Sequence, residues 1–216
     1  MATSLTARRE TLPDGQLALA YQWHGEEVLV RDDAMTVLRC IEALSDDGMP
    51  DEERGKRFVE LLFADLAEAF VACDFDPRAL ARLASDAAWD VCGIDLTGTR
   101  PCEEPVWDPE EDADRIRTSF RQAYGIDWDE EREHVTFAEF VALVGGCPRD
   151  TPLGRAIWYR SPATRPKRSK HNKQEVEEWD RLHRAYALRR RRRASGSDTG
   201  DAAMRDTFAA LKRAAR

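Results

Sequence analysis

The histidine, cysteine and carboxylate side chains of this 216-residue chain are the groups that could do chemistry. Its histidines are His24, His134, His171 and His183. None lies four residues from another histidine or from a plausible cysteine ligand, as a helical metal site would require. No P-loop, GxGxxG, GxSxG or HExxH motif occurs. We therefore predict no catalytic residues, no metal and no cofactor, and we expect that the protein is not an enzyme.

The cysteines and the carboxylates support the same expectation. There are five cysteines, an odd number, and no CxxC pair, so neither a disulfide framework nor a zinc finger is predicted. Cys40, Cys73 and Cys92 lie in apolar helical patterns, which favours small buried side chains. Many carboxylates come in runs, such as residues 110–112, that are typical of a solvated face. A catalytic acid pair instead needs two different environments.

Five consecutive arginines form the most concentrated charge in the chain. They are Arg189, Arg190, Arg191, Arg192 and Arg193. Clustered cations bind phosphate by releasing counterions, so nucleic acid is one predicted partner, although no aromatic residue interleaves the run. An acidic protein surface, including the N-terminal half of this chain, is a second. The third interpretation is a solvated helix C-terminus, where cations are favourable.

A second candidate binding element lies at the C-terminus. Met204, Phe208 and Leu211 form one narrow apolar stripe on a helix predicted over residues 201–216. A glycine- and serine-rich stretch, residues 195–200, precedes it and predicts a flexible linker. A tethered amphipathic helix suits docking into a groove of a partner. The alternatives are a frayed tail and a helix packed on its own domain.

Charge is divided unevenly along the chain. Residues 1–147 hold 14 basic and 33 acidic residues, a net of −19, whereas residues 148–216 hold 19 and 8, a net of +11. The whole-chain net charge of −8 therefore describes neither part. Oppositely charged parts attract each other or different partners. No apolar stretch approaches the roughly 18 residues of a membrane span, and no hydrophobic signal core is present, so neither a membrane nor secretion is expected.

The elements that must position these residues are mainly helical. Alternating apolar residues over 17–31 predict a β-hairpin, and apolar residues at steps of three and four predict helices over most of the remainder. One long core helix is predicted over 51–73. Capping patterns predict helix starts at Asp108, Thr136, Thr151 and Asn172. The expected fold is a compact, mainly α domain with a small N-terminal β-hairpin and a tethered C-terminal helix.

The domain organisation follows from these elements. We predict a flexible N-terminus over 1–16, a helical domain over 17–188, the arginine run and linker over 189–200, and an amphipathic helix over 201–216.

Residues 107–188 carry a resemblance to a known family. An acidic helix ends in Tyr124-Gly125-Ile126-Asp127, His134 follows, and the chain continues with Thr151, Ile157-Trp158-Tyr159-Arg160 and a basic helix closing in Tyr186-Ala187-Leu188. This order resembles the bacteriophage "gene product fifteen" family of tailed phages and prophages. The similarity extends more loosely over the hairpin and Asp32-Asp33, to about residues 17–190. One departure is Val135-Thr136, where the family usually has a tryptophan pair.

The resemblance implies a position and a role. Such proteins are typically encoded between the tail-tube and tape-measure genes of long-tailed phages, a slot usually occupied by tail assembly chaperones. We therefore expect the tape-measure protein and tail tube subunits as partners, with a homo-oligomer left open. The resemblance implies a location in the host cytoplasm during phage assembly and absence from the mature virion. The alternatives are a minor structural tail protein retained in the virion and a nucleic-acid-binding adaptor using Arg189–Arg193.

Overall fold

A computed structural model describes residues 6–99 and 105–189. Within these ranges the chain is mainly α, with nine α-helices and one three-stranded antiparallel sheet. It divides into two compact units, whose described parts are residues 6–99 with 132–140, and residues 105–131 with 141–189. The predicted fold class is confirmed. The predicted helix over 201–216 lies outside the described residues.

The first unit begins with the sheet and continues with four helices. The strands are β1 (Arg9–Thr11), β2 (Leu17–Trp23) and β3 (Glu26–Arg31), in the order β1-β2-β3. The helices are α1 (Ala34–Ser45), α2 (Asp51–Leu62), α3 (Leu66–Ala72) and α4 (Pro77–Cys92). The second unit contains α5 (Ala113–Tyr124), α6 (Trp128–Glu131), α8 (Pro152–Arg160), the 3-10 turn Pro162–Thr164 and α9 (Lys173–Tyr186). Helix α7 (Phe137–Gly145) contains the boundary between the units.

The predicted hairpin is confirmed as β2 and β3, paired from Ala18 with Arg31 to Trp23 with Glu26. Its two-residue turn places His24 and Gly25 at φ values of 51° and 95°, the positive values that a tight hairpin turn requires. A third strand, β1, lies inside the segment predicted as a flexible N-terminus. Backbone pairing with β2 and an ion pair between Arg9 and buried Asp32 hold it there.

The single helix predicted over residues 51–73 is wrong, because two helices occupy this range. Phe63 leaves the helical path and pairs with Val30 in an isolated antiparallel bridge, and the Ala64 amide donates to the Leu29 carbonyl at 3.0 Å. Asp65 then caps α3 by accepting hydrogen bonds from the amides of the first turn. Hydrogen bonds to the backbone of β3 thus end a helix that the local spacing of apolar residues predicts to continue to residue 73.

The core of the first unit is built from side chains of the sheet and of helices α1, α2 and α4, together with Phe63. Its fully or almost fully buried side chains are those of Val28, Val30, Val37, Phe58, Leu62, Phe63, Leu83 and Val91. The segment before α7 joins this unit through backbone bonds. The Ala34 amide donates to the Val135 carbonyl at 2.9 Å, and the Phe137 amide donates to the Asp32 carbonyl at 2.7 Å. Val135-Thr136, which departs from the family pattern, therefore occupies a structural position.

Most predicted helix signals are confirmed. The Thr136 amide donates to the Glu139 carboxylate at 2.9 Å, and the Glu139 amide donates to the Thr136 hydroxyl at 3.3 Å, which completes the capping box. Thr151 caps α8, and Gly125 ends α5 at a φ of 70°. Two predictions need correction. Asp108 caps a turn that precedes α5, and the Asn172 side chain accepts a hydrogen bond from Ser169 instead of capping α9.

The second unit is organised around a buried ion pair between Asp112 and Arg160. The Asp112 side chain is 0% exposed and that of Arg160 is 3% exposed. The two amino nitrogens of Arg160 donate to the two carboxylate oxygens of Asp112, one at 3.0 Å. The Nε atom donates to the Tyr186 carbonyl at 2.7 Å, and Nη1 also donates to the Val106 carbonyl. The pair therefore connects the start of α5, the end of α8 and the end of α9.

Burial by itself would raise the pKa of the Asp112 carboxyl. Hydrogen bonds from Arg160, from the Asp108 amide group and from Arg115 outweigh burial, and the pKa is lowered. The prediction that residues 110–112 form a solvated run is thus wrong for Asp112. Its charged partner stands 48 residues away, which a local reading of charge cannot detect.

Gly154 lies at a close approach between two backbone segments of the second unit. A Cβ atom at this position would lie 2.0 Å from the Pro148 carbonyl oxygen and 2.7 Å from that of Cys147. We expect Gly154→Ala to lower the free energy of unfolding by about 1–3 kcal/mol, because backbone atoms would have to move to relieve the clash. Urea denaturation checks this. Gly145→Ala is the matched control, since its Cβ meets no atom within 4 Å.

Candidate docking surface

The described residues offer little material for nucleophilic or metal chemistry. Over 6–99 and 105–189, no three His, Cys, Asp or Glu side chains gather as a metal ion would require. Cys40, Cys73 and Cys92 are buried, as expected, and burial raises the pKa of each thiol, to about 12 for Cys40. Thiols with raised pKa values stay protonated and react poorly. These cysteines therefore act as small apolar side chains.

Two adjacent buried carboxylates, Asp32 and Asp33, are the most unusual charged groups of the first unit. The Arg9 Nε atom donates to Oδ2 of Asp32 at 2.6 Å, and Oδ1 of Asp33 accepts from the Thr36 amide at 2.8 Å. The remaining oxygen of each carboxylate is buried without a hydrogen bond. Burial raises the pKa of Asp32 more than Arg9 lowers it, and the neighbouring Asp33 charge raises it further. Both residues lie where the sheet leads into α1, so we assign them to the scaffold.

A raised pKa means that the folded chain holds the Asp32 proton more tightly than the unfolded chain does. This contribution to stability is therefore greatest below the unfolded pKa of about 3.9 and is lost as the pH rises through the folded pKa. We expect native protein to gain stability relative to Asp32→Asn as the pH falls across that window. Urea denaturation of both proteins at several pH values checks this. A loss relative to the variant over the same window would contradict the raised pKa.

Of the residues predicted to bind partners, the structure describes only Arg189. Its backbone amide donates to both oxygens of Glu111, at 2.8 and 3.0 Å, so the last described residue lies against the acidic run of the second unit. The other predicted binding residues lie outside the described ranges. They are Arg190, Arg191, Arg192, Arg193, Met204, Phe208 and Leu211.

An open cavity of about 340 Å³ lies on the first unit, between the β2–β3 turn and the junction of α3 with α4. It is lined by Trp23, His24, Glu26, Val71, Ala72, Cys73, Asp74, Ala79 and Arg82. Apolar side chains form part of the wall. Glu26 and Asp74 place negative charge beside them, and Arg82 places positive charge there. Polar groups supply most of the accessible wall, so the cavity itself suits the polar or charged groups of a ligand.

Two large apolar side chains next to this cavity are exposed to solvent. Phe75 is 70% exposed and Val71 is 60% exposed. Only three large apolar residues in the described ranges are exposed, and these two are separated by four positions in the chain. Together with the cavity they form a surface that we name the Phe75 ledge, defined by Val71, Phe75 and the cavity lining. Aromatic side chains of this kind dominate the binding energy of protein interfaces.

The backbone under the ledge is held in an uncommon conformation. Asp74 and Phe75 have φ values of 51° and 57°, in the left-handed region, which disfavours bulky residues. Hydrogen bonds from the Asp74 amide to the Val71 carbonyl and from the Phe75 amide to the Phe70 carbonyl, at 3.0 and 2.9 Å, fix this conformation. With His24, these are the three described non-glycine residues at positive φ; His24 and Asp74 line the cavity, and Phe75 directly follows Asp74 in the chain. Such strain concentrates at binding sites.

Sequence reasoning missed this surface. Phe75 directly precedes the helix cap Asp76 and Pro77, a position whose apolar side chain often packs onto the first turn of the helix. A phenylalanine at this position of a helix start would therefore ordinarily be buried. One available signal was its place between Asp74 and Asp76, which is unusual for a core residue.

Comparison with known proteins gives one match. The family model described as bacteriophage Gp15 protein matches residues 14–188. No curated protein matches the chain, and no solved structure matches it. No helix in the described ranges is long and apolar enough to cross a bilayer. The match covers well over half of the chain and includes the residues on which the resemblance rests. The chain therefore belongs to the bacteriophage Gp15 protein family.

Proposed function

We propose that this phage protein is a tail assembly chaperone that binds the tape-measure protein and assists assembly of the tail tube around it. Family membership supports the phage context, and the gene position implied by the resemblance supports the tail. The observation that carries the proposal is the Phe75 ledge, where a strained backbone presents an aromatic side chain to solvent beside an open cavity. A strained, exposed phenylalanine has little value for folding, so we assign it to binding.

The chemistry of the ledge fits a long helical client. A helix with an apolar stripe would cover Phe75 and Val71 and remove their surface from water, at about 25 cal/mol for each Å² of apolar area. Charged groups on the same helix would meet Glu26, Asp74 and Arg82 at the edge. Edge charges speed encounter and are screened by salt, which favours a contact that forms and releases. Release is necessary because tube subunits must replace the chaperone.

In the proposed role, the protein acts by binding its partners and uses neither catalysis nor a cofactor. It works in the host cytoplasm while tails assemble and is absent from the finished virion. We propose tube subunits as its second class of partner.

Co-expression tests the first interaction. Tagged full-length protein should co-purify with the tape-measure protein encoded beside it, and a tagged unrelated acidic protein should not. If the two proteins fail to co-purify both when this protein is tagged and when the tape-measure protein is tagged, the proposed interaction is overturned.

Mass spectrometry of purified particles tests the role. A chaperone should be missing from virions in which tube and tape-measure peptides are abundant. Stoichiometric recovery of this chain from the particles would instead identify a minor structural tail protein.

A further inference from the structure

The first unit and the C-terminal segment carry opposite charge. In the first unit, residues 6–99 and 132–140 contain 22 acidic and 10 basic residues, a net of −12. Residues 190–216 contain 3 acidic and 8 basic residues, a net of +5. Opposite net charges attract, and the covalent link keeps the two parts of one chain close enough for this attraction to act.

The apolar chemistry of the segment also complements the ledge. Met204, Phe208 and Leu211 form the apolar stripe of the predicted helix. Arg205 precedes Phe208 by three residues and Lys212 follows it by four, so both cations border that stripe. The ledge presents apolar Val71 and Phe75 with two carboxylates, Glu26 and Asp74, and one cation, Arg82, beside them.

The chain between the last described residue and the apolar stripe gives the segment a long reach. Met204 follows Arg189 by fifteen positions, and an extended chain over that interval spans up to about 50 Å. A flexible tether of this kind gives an effective concentration in the millimolar range, so a contact that is weak between separate molecules is well populated within one.

We propose that residues 201–215 of this chain dock on its own Phe75 ledge and cover it in the absence of a partner. Phe208 packs against Phe75 and Val71, and Arg205 and Lys212 face Glu26 and Asp74. A partner that uses the ledge must displace this segment. The intramolecular contact therefore sets a threshold affinity for the client and protects an exposed aromatic surface from non-specific association. This proposal concerns the chain alone and does not depend on which partner binds it.

Photo-crosslinking of the purified full-length chain tests the contact. Val71, which is 60% exposed, is replaced by p-benzoylphenylalanine, Val71→Bpa. Irradiation should join residue 71 to the tryptic peptide of residues 206–212 within a monomer. Phe208→Asp should lower the yield at least tenfold. Ala209→Asp, which adds the same charge on the far side of the predicted helix, should lower it less than twofold.

Each other outcome overturns the proposal. Equal loss of yield in the two aspartate variants would show that charge alone acts, and crosslinks confined to other peptides would place the segment elsewhere. Covalent dimers as the main product would show that a second copy covers the ledge. Because no tape-measure protein is present, failure here leaves the proposed chaperone function standing, and success does not establish it.

Discussion

Asp112→Leu is expected to lower the free energy of unfolding of the second unit by about 3–5 kcal/mol, because it leaves the Arg160 guanidinium buried without its carboxylate partner. Removing the Asp112 carboxylate also breaks the connection between α5 and the end of α9. The reason is that Arg160, which bonds Asp112, also donates to the Tyr186 carbonyl. Urea denaturation followed by tryptophan fluorescence measures it, with Trp128 and Trp179 as buried probes of this unit.

Asp114→Leu is the matched control, because Asp114 lies two residues further on, in the first turn of α5, with its side chain fully exposed. We expect little change from this substitution. The double variant Asp112→Leu/Arg160→Met should recover part of the stability lost in Asp112→Leu, since it removes both buried charges together. If the loss of stability in the double variant, relative to native protein, equals the sum of the losses in the two single variants, the two side chains do not interact directly and the pair is contradicted.

The pH dependence of this ion pair follows from the lowered pKa of Asp112. The folded chain releases this proton more readily than the unfolded chain, so the stabilisation is complete above the unfolded pKa of about 3.9. It is lost as the pH falls through the folded pKa. Asp32, whose pKa is raised, contributes in the opposite direction over a higher window.

Phe75→Gly is expected to weaken the proposed binding of the tape-measure protein by at least 30-fold, about 2 kcal/mol, as for the loss of an aromatic anchor at an interface centre. The same substitution should leave the free energy of unfolding unchanged or raise it by up to about 1 kcal/mol. The reason is that glycine relieves the left-handed strain at φ 57°, whereas the exposed ring contributes little to folding. Binding and denaturation are measured on the same full-length preparations.

Phe75→Tyr is the control for this prediction, because it keeps the ring and its backbone conformation and places a hydroxyl in solvent. Its affinity should stay within a few-fold of native. A strongly destabilised Phe75→Gly protein would show that Phe75 supports the fold. A Phe75→Gly protein that binds as tightly as Phe75→Tyr would show that Phe75 is not a binding anchor.

Local chemistry in the sequence predicts much of this fold. The hairpin, the Thr136 capping box and the Gly125 helix end depend on residues within a few positions of one another, and each is confirmed. The misses involve distant residues. Phe63 ends its helix and pairs with the backbone of Val30, and Asp112 is buried in an ion pair with Arg160 although it belongs to an acidic run in the sequence. No local pattern contains either partner, so periodicity and charge spacing cannot reveal them.

The candidate site was the least predictable part. The sequence assigned binding to Arg189–Arg193 and to the Met204, Phe208 and Leu211 stripe, and all of these except Arg189 lie outside the described residues. The Phe75 ledge depends instead on consecutive left-handed residues at Asp74 and Phe75. Neither residue type favours that conformation as glycine does, so the sequence carries no clear sign of it.

Electron microscopy of particles made by phage lacking this gene tests the central claim most directly. A tail assembly chaperone predicts tailless capsids or tails of irregular length, with normal tails restored when native protein or Phe75→Tyr is supplied in trans. Phe75→Gly, expressed to the same level, should fail to restore them. Normal tails in the absence of the gene would contradict a chaperone role, and full restoration by Phe75→Gly would contradict the Phe75 ledge as its binding surface.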